Sequence, residues 1–133
     1  MGLPRYIAEA LETPDLSPGD ESRARRDLVL GADGQKQFIP ELRSDDCGGS
    51  GGCNWKILDD DTQQELLPDS QGMLFKTQRI TNGYYDIVVV FGTAVDEYLY
   101  AYKYHVGQYK PTTCYERKID PDGPAVLIPC MSQ

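Results

Sequence analysis

The sequence predicts an α+β fold: a mostly antiparallel β meander of about six to eight short strands with one N-terminal helix. Three observations carry this expectation. Short runs of alternating apolar residues are separated by turn residues at roughly 8–12 positions. Asn82-Gly83 joins two such runs, and both residues accept the positive φ of a two-residue hairpin. Leu3, Ile7 and Leu11 recur at helical spacing behind Pro4, a residue suited to a first helical turn. A chain of 133 residues has room for a single domain. Residues 1–26 are expected to hold the helix and a linker, and 27–133 the β domain.

The elements follow in order. The helix is expected over Leu3 to Glu12, ended by Thr13-Pro14 and Ser17-Pro18-Gly19-Asp20. Asp15 to Arg26 is nearly free of apolar residues and reads as a surface linker, with room for a helical turn at Glu21 to Arg26. Leu28-Val29-Leu30, the turn Gly31-Ala32-Asp33-Gly34 and Gln37 to Leu42 read as a hairpin. After a glycine loop, Asn54 to Leu58 places Trp55 and Ile57 on one face. Asp59-Asp60-Asp61 turns the chain, Gln64 to Leu67 returns, and Pro68-Asp69-Ser70-Gln71-Gly72 reads as another turn. Met73 to Arg79 and Tyr84 to Phe91 flank Asn82-Gly83. The run Ile87-Val88-Val89-Val90-Phe91 is apolar on both faces, as a central strand would be. Glu97 to Val106 and Tyr109 to Lys118 complete the strands. Asp120 to Pro124 turns, and Ala125 to Ile128 is a short apolar tail piece.

Charge narrows the function. The formal net charge is −8, which makes nucleic acid a poor partner. No stretch approaches the roughly 18 apolar residues of a membrane span. Residues 31–70 hold nine acidic and three basic side chains, so −6 of the total sits beside the glycine loop. Residues 71–133 are neutral. The acidity therefore marks one face.

Four cysteines, Cys47, Cys53, Cys114 and Cys130, permit three pairings or none. The flexible Gly-Gly-Ser-Gly-Gly stretch can bring Cys47 to Cys53, which leaves Cys114 for Cys130; reduced thiols are the competing state. Intervals of five and fifteen residues do not suit a zinc site, and no metal or other cofactor is expected. Met1 to Tyr6 lacks a basic region followed by an apolar stretch. Such a start fits either a cytoplasmic chain or the mature form of a periplasmic or secreted protein, and the cysteine pattern favours the second.

Three candidate chemistries stand out. Tyr98, Tyr100, Tyr102 and Tyr104 share one strand face. They form either a ligand or glycan platform or an aromatic face packed under the helix and its neighbours. Asp59, Asp60 and Asp61 lack the alternation and glycine of a calcium loop and read as a solvated turn. Catalysis would have to use His105, the single histidine, and nothing near it resembles an activated nucleophile. Ser50 lies between glycines but without a strand-to-helix elbow. The chain is expected not to be an enzyme, with a small hydrolase working through a carboxylate pair as the lesser alternative. Asp45, Asp46, Ser50, Asp59, Asp60 and Asp61 are the expected partner-binding residues, presented to a basic protein.

The motifs Cys47-Gly-Gly-Ser-Gly-Gly-Cys53, Thr81-Asn82-Gly83-Tyr84-Tyr85-Asp86-Ile87-Val88 and Gly107-Gln108-Tyr109-Lys110 carry a resemblance. Together with Trp55 to Asp59 they resemble a group of small bacterial envelope proteins. Those share a Cys-Gly-Ser-x-Gly-Cys loop, an Asn-Gly-Tyr-x-Asp hairpin and a closing Gly-x-Tyr hairpin. The likeness covers roughly residues 27–118, and this loop has one glycine more. It implies an envelope compartment and a β-rich fold. Small periplasmic proteins of this size include lysozyme inhibitors and immunity proteins against peptidoglycan-cleaving toxins. By that analogy the expected function is non-enzymatic binding of a basic lysozyme-like or toxin enzyme.

Overall fold

A computed structural model describes residues 2–18, 23–47, 52–92, 96–118 and 126–130 of the chain. It contains one short helix and nine antiparallel strands in two sheets, so the strand count slightly exceeds the expected six to eight. Helix α1 is Arg5–Ala10. One sheet runs in the order β1 (Arg26–Val29), β2 (Lys36–Ile39), β3 (Asn54–Asp59), β4 (Glu65–Gln71). The other runs β5 (Met73–Thr81), β6 (Tyr84–Gly92), β7 (Asp96–His105), β8 (Gln108–Lys118), β9 (Val126–Pro129). Each sheet is a meander whose neighbours are consecutive in sequence.

Strict alternation in β6 explains how the layers stack. Ile87 and Val89 face the four-stranded sheet and join a core with Leu30, Ile39, Trp55, Ile57 and Leu74. Val88 and Val90 face the other way, where Ile7 and Ala10 of α1 pack with Phe75, Leu99 and Ala101. One strand thus carries two cores, and all four residues are almost fully buried. The apolar run read as a central strand is central in that sense.

Three expectations are corrected here. The helix is shorter than Leu3 to Glu12: Leu11 closes its last turn, and the Thr13 hydroxyl donates to the Ala10 carbonyl. Residues 23–25 are not helical, and Arg26 opens β1. Pro68 to Gln71 is not a turn. It is the second half of β4, where Ser70 pairs with Trp55 and Gln71 with Asn54. The reversal is confined to Gly72 (φ 98°), where the chain passes from one sheet to the other. Turn-forming residues suit this position because β4 is an edge strand, and an edge tolerates proline.

The β7–β8 turn is Val106-Gly107, so Val106, expected to end the strand, takes a φ of 47° in the turn, whereas the β5–β6 turn is as expected. Asn82 (φ 53°) and Gly83 (φ 86°) form the β5–β6 hairpin. The Asp15–Leu16 stretch lies on the β5 edge, with the Leu16 amide donating to Leu74 O and the Leu74 amide to the Asp15 carboxylate. The apolar tail piece is a true strand, β9, held to β8 by the Cys114–Cys130 disulfide. The predicted turn at Asp120 to Pro124 lies outside the described residues.

Asp59 is not a surface residue. It ends β3 with 3% exposure, and its carboxylate accepts from the Asp61 and Thr62 amides, the Thr62 hydroxyl and the Gln35 amide. Burial alone would raise its pKa. The Thr62 amide and hydroxyl and the Gln35 amide outweigh that and hold it below the usual carboxylate value. The folded value thus lies below the unfolded one. The carboxylate's contribution to stability is present above the unfolded pKa and is lost as pH falls through the folded pKa. Urea midpoints measured from pH 6 to pH 2.5 should therefore fall less steeply below about pH 4 in Asp59→Asn than in the wild type. Superimposable profiles would exclude this role.

Candidate functional site

The tyrosine strand divides into two parts. Tyr102 and Tyr104 pack against the core between the sheets, and Tyr104 stacks on Tyr84 at 3.9 Å between ring centroids. Tyr98 and Tyr100 lie on the same face and are half-buried. They flank Phe91 of β6, at 5.5 and 5.7 Å between ring centroids, and Phe91 is 39% exposed. The helix does not cover this face; it lies on the opposite one, over Leu99 and Ala101. Packing under the helix is therefore ruled out for the tyrosines, while packing against aromatic neighbours holds.

Three phenols at this face are pushed above the ordinary tyrosine value. Burial and then the neighbouring Tyr104 push Tyr84 up to about 12. Burial, then Tyr100, raises Tyr102. The Glu116 carboxylate is the first cause of the rise at Tyr98. The row presents hydroxyl groups and ring surface.

A slot of about 350 Å³ opens beside Tyr100, Tyr102 and Phe91. Val89 lies at its base, and its other wall is Asn54, Asp69 and Gln71 from β3 and β4. The Gln71 amide donates to Asn54 Oδ1 at 2.7 Å, which ties the two side chains together across β3 and β4. Next to it lies a trough of about 440 Å³ lined by Glu41, Asp45, Asp46 and Asp69, with Arg43 and Lys56 as its cations. Lys56 approaches Glu65 at 4.0 Å. Asn54 and Asp69 line both the slot and the trough, so the two form one continuous surface.

The predicted acidic residues do not all meet there. Asp45 and Asp46 sit on a 3-10 turn at Ser44–Asp46, where Asp46 accepts from the Arg43 amide, and they line the trough. The Cys47–Cys53 disulfide fixes the end of that turn against the start of β3. Ser50 lies outside the described residues. Asp60 and Asp61 stand at the far end of β3, roughly 16 Å away at the usual rise per residue. Asp60 is held there by Arg25 at 2.6 Å. Sequence reasoning missed Asn54, Asp69, Gln71 and Phe91 as site residues. The pairing of Asn54 with Gln71 brings the first three together, and it was hidden by reading Pro68 to Gly72 as a turn.

A second cleft, of about 540 Å³, separates β1 from β5. Lys76 already occupies its chemistry: Nζ donates to Val29 O at 3.0 Å and lies 4.4 Å from the Tyr85 ring centroid. His105 is exposed beside the β7–β8 turn. Among the described residues, no group of three or more His, Cys, Asp or Glu side chains is arranged to hold a metal ion. No described helix is long and apolar enough to cross a membrane. Comparison of the chain with protein-family models, with curated proteins and with solved structures returned no match.

Proposed function

We propose that this chain is a non-enzymatic binding protein of an oxidising envelope or secreted compartment, and that it engages a basic protein. A lysozyme-like or toxin enzyme is the kind of partner meant, in an inhibitor or immunity role. The observation that carries this reading is the continuity of the acidic trough with the aromatic slot through Asn54 and Asp69. Aromatic side chains anchor protein interfaces, and fixed charge around them steers a partner of opposite sign. The excess of four carboxylates over two cations in the trough and the two disulfides support the same reading.

Binding kinetics test it. A basic lysozyme should bind with an association rate that falls steeply between 50 and 300 mM salt. The variant carrying Asp45→Asn, Asp46→Asn and Asp69→Asn should associate about tenfold more slowly at low salt. Binding that ignores both changes would overturn the proposal.

The slot also favours a second reading, a small-ligand or glycan module. Half-exposed Phe91, Tyr98 and Tyr100 beside planar amides supply the ring and hydrogen-bond surfaces a sugar would use.

A further inference from the structure

We infer that the slot between Gln71 and Tyr100 is a seat for a guanidinium group, and that a basic partner anchors itself there through an arginine side chain. This rests on the reading of the trough as a basic protein's docking surface and names the chemistry at its centre.

The slot's lining supplies what a guanidinium needs, and none of its lining residues is basic. Tyr100, Tyr102 and Phe91 give aromatic surface for a delocalised cation. Asp69 gives a carboxylate at the junction with the trough. Gln71 spends its amide nitrogen on Asn54, which leaves its amide oxygen as an acceptor for a second N–H. Val89 at the base is 2% exposed and apolar, which suits the weakly hydrated guanidinium better than a strongly hydrated ammonium.

The protein already seats its own arginine this way. The Arg25 guanidinium lies 3.9 Å from the Phe38 ring centroid, and Asp27 and Asp60 accept from it at 3.0 and 2.6 Å. Arg79 lies 4.4 Å from the Tyr6 ring centroid. The slot repeats the Phe38 arrangement, aromatic ring plus carboxylate, without an internal cation. Its shape separates guanidinium from sugar as well. Tyr100 and Tyr102 are tilted by 44° at 6.5 Å, a wedge suited to a thin planar group. Glu41, Asp45 and Asp46 in the adjoining trough add attraction for the rest of a basic partner.

Nuclear magnetic resonance titration of the whole chain with N-acetyl-arginine amide tests the seat. Shifts should concentrate at Asn54, Gln71, Val89, Tyr100 and Tyr102 and saturate in the millimolar range expected for a single side chain. Asp69→Asn should weaken binding about three- to fivefold, in keeping with a partly exposed ion pair. Tyr100→Leu should abolish the response, and Gln71→Ala is the second variant should Tyr100→Leu not fold. The lysine amide and a chitin-type trisaccharide are the comparison ligands. An equal response to lysine, a stronger response to the saccharide, shifts located elsewhere or no shifts would each overturn the inference. The two readings fail separately. Arginine bound in the slot, with no basic protein binding the trough, removes the partner proposal and leaves the seat. A basic enzyme binding Tyr100→Leu as tightly as wild type removes the seat and leaves the partner.

Discussion

Replacing Gly72 by alanine should destabilise the protein by about 4 kcal/mol, a large fraction of the stability of a domain this size. A Cβ at this position would lie 2.2 Å from the Val90 carbonyl oxygen and 2.8 Å from Phe91 Cβ. The first contact is with the backbone of β6, so no side-chain rotation relieves it. The φ of 98° adds strain that an L side chain rarely bears. Gly83→Ala is the matched control. It also has positive φ, 86°, but a Cβ there meets nothing within 4 Å, so its cost should stay near about 1 kcal/mol. Urea denaturation of the two variants checks the difference. Equal midpoints would mean that the sheet-to-sheet corner relaxes freely.

Trp55→Ala should cost about 3–5 kcal/mol, the range for deleting a large buried aromatic. Trp55 is 2% exposed in the core between the sheets, and its indole N–H donates to the Gly72 carbonyl at 3.1 Å. The ring therefore clamps the same corner from β3. Trp55→Phe separates the two contributions. It keeps most of the apolar volume but leaves the Gly72 carbonyl without its donor, a cost of about 1–3 kcal/mol. Circular dichroism in urea is the suitable readout, because both substitutions remove the intrinsic fluorophore. A Phe variant as stable as wild type would assign the whole effect to packing.

Much of the fold was legible because its signals are local. Asn82-Gly83 fixes a hairpin through backbone conformation alone, and Ile87 to Val90 reveal burial on both faces by composition alone. The apolar spacing of Leu3, Ile7 and Leu11 found the helix but overran it, since residues flanking a single turn and a half can pack on the core without being helical. Pro68 to Gly72 misled for a physical reason: turn-type residues are equally at home on an edge strand, and only the partner strand decides between them. The site was legible in parts. Asp45, Asp46, Tyr100 and Tyr102 all line the continuous surface, but nothing in a linear reading says that Asn54 and Asp69 join their two halves. Asp59 shows the converse. Its neighbours in sequence are acidic and turn-forming, yet Gln35, from another hairpin, turns it inward as an acceptor.

The short strand β9 has a consequence for how these molecules behave at high concentration. Without it, the eleven residues of β8 would form the open edge of the larger sheet. A long unpaired edge is a template for a second copy and for fibrous association. β9 covers Tyr115 to Lys118, is four residues long and ends in Pro129, which has no N–H to offer a neighbouring chain. The Cys114–Cys130 bond keeps this cover attached at its end. The bond thus fixes the strand that keeps Tyr115 to Lys118 from pairing with a second copy.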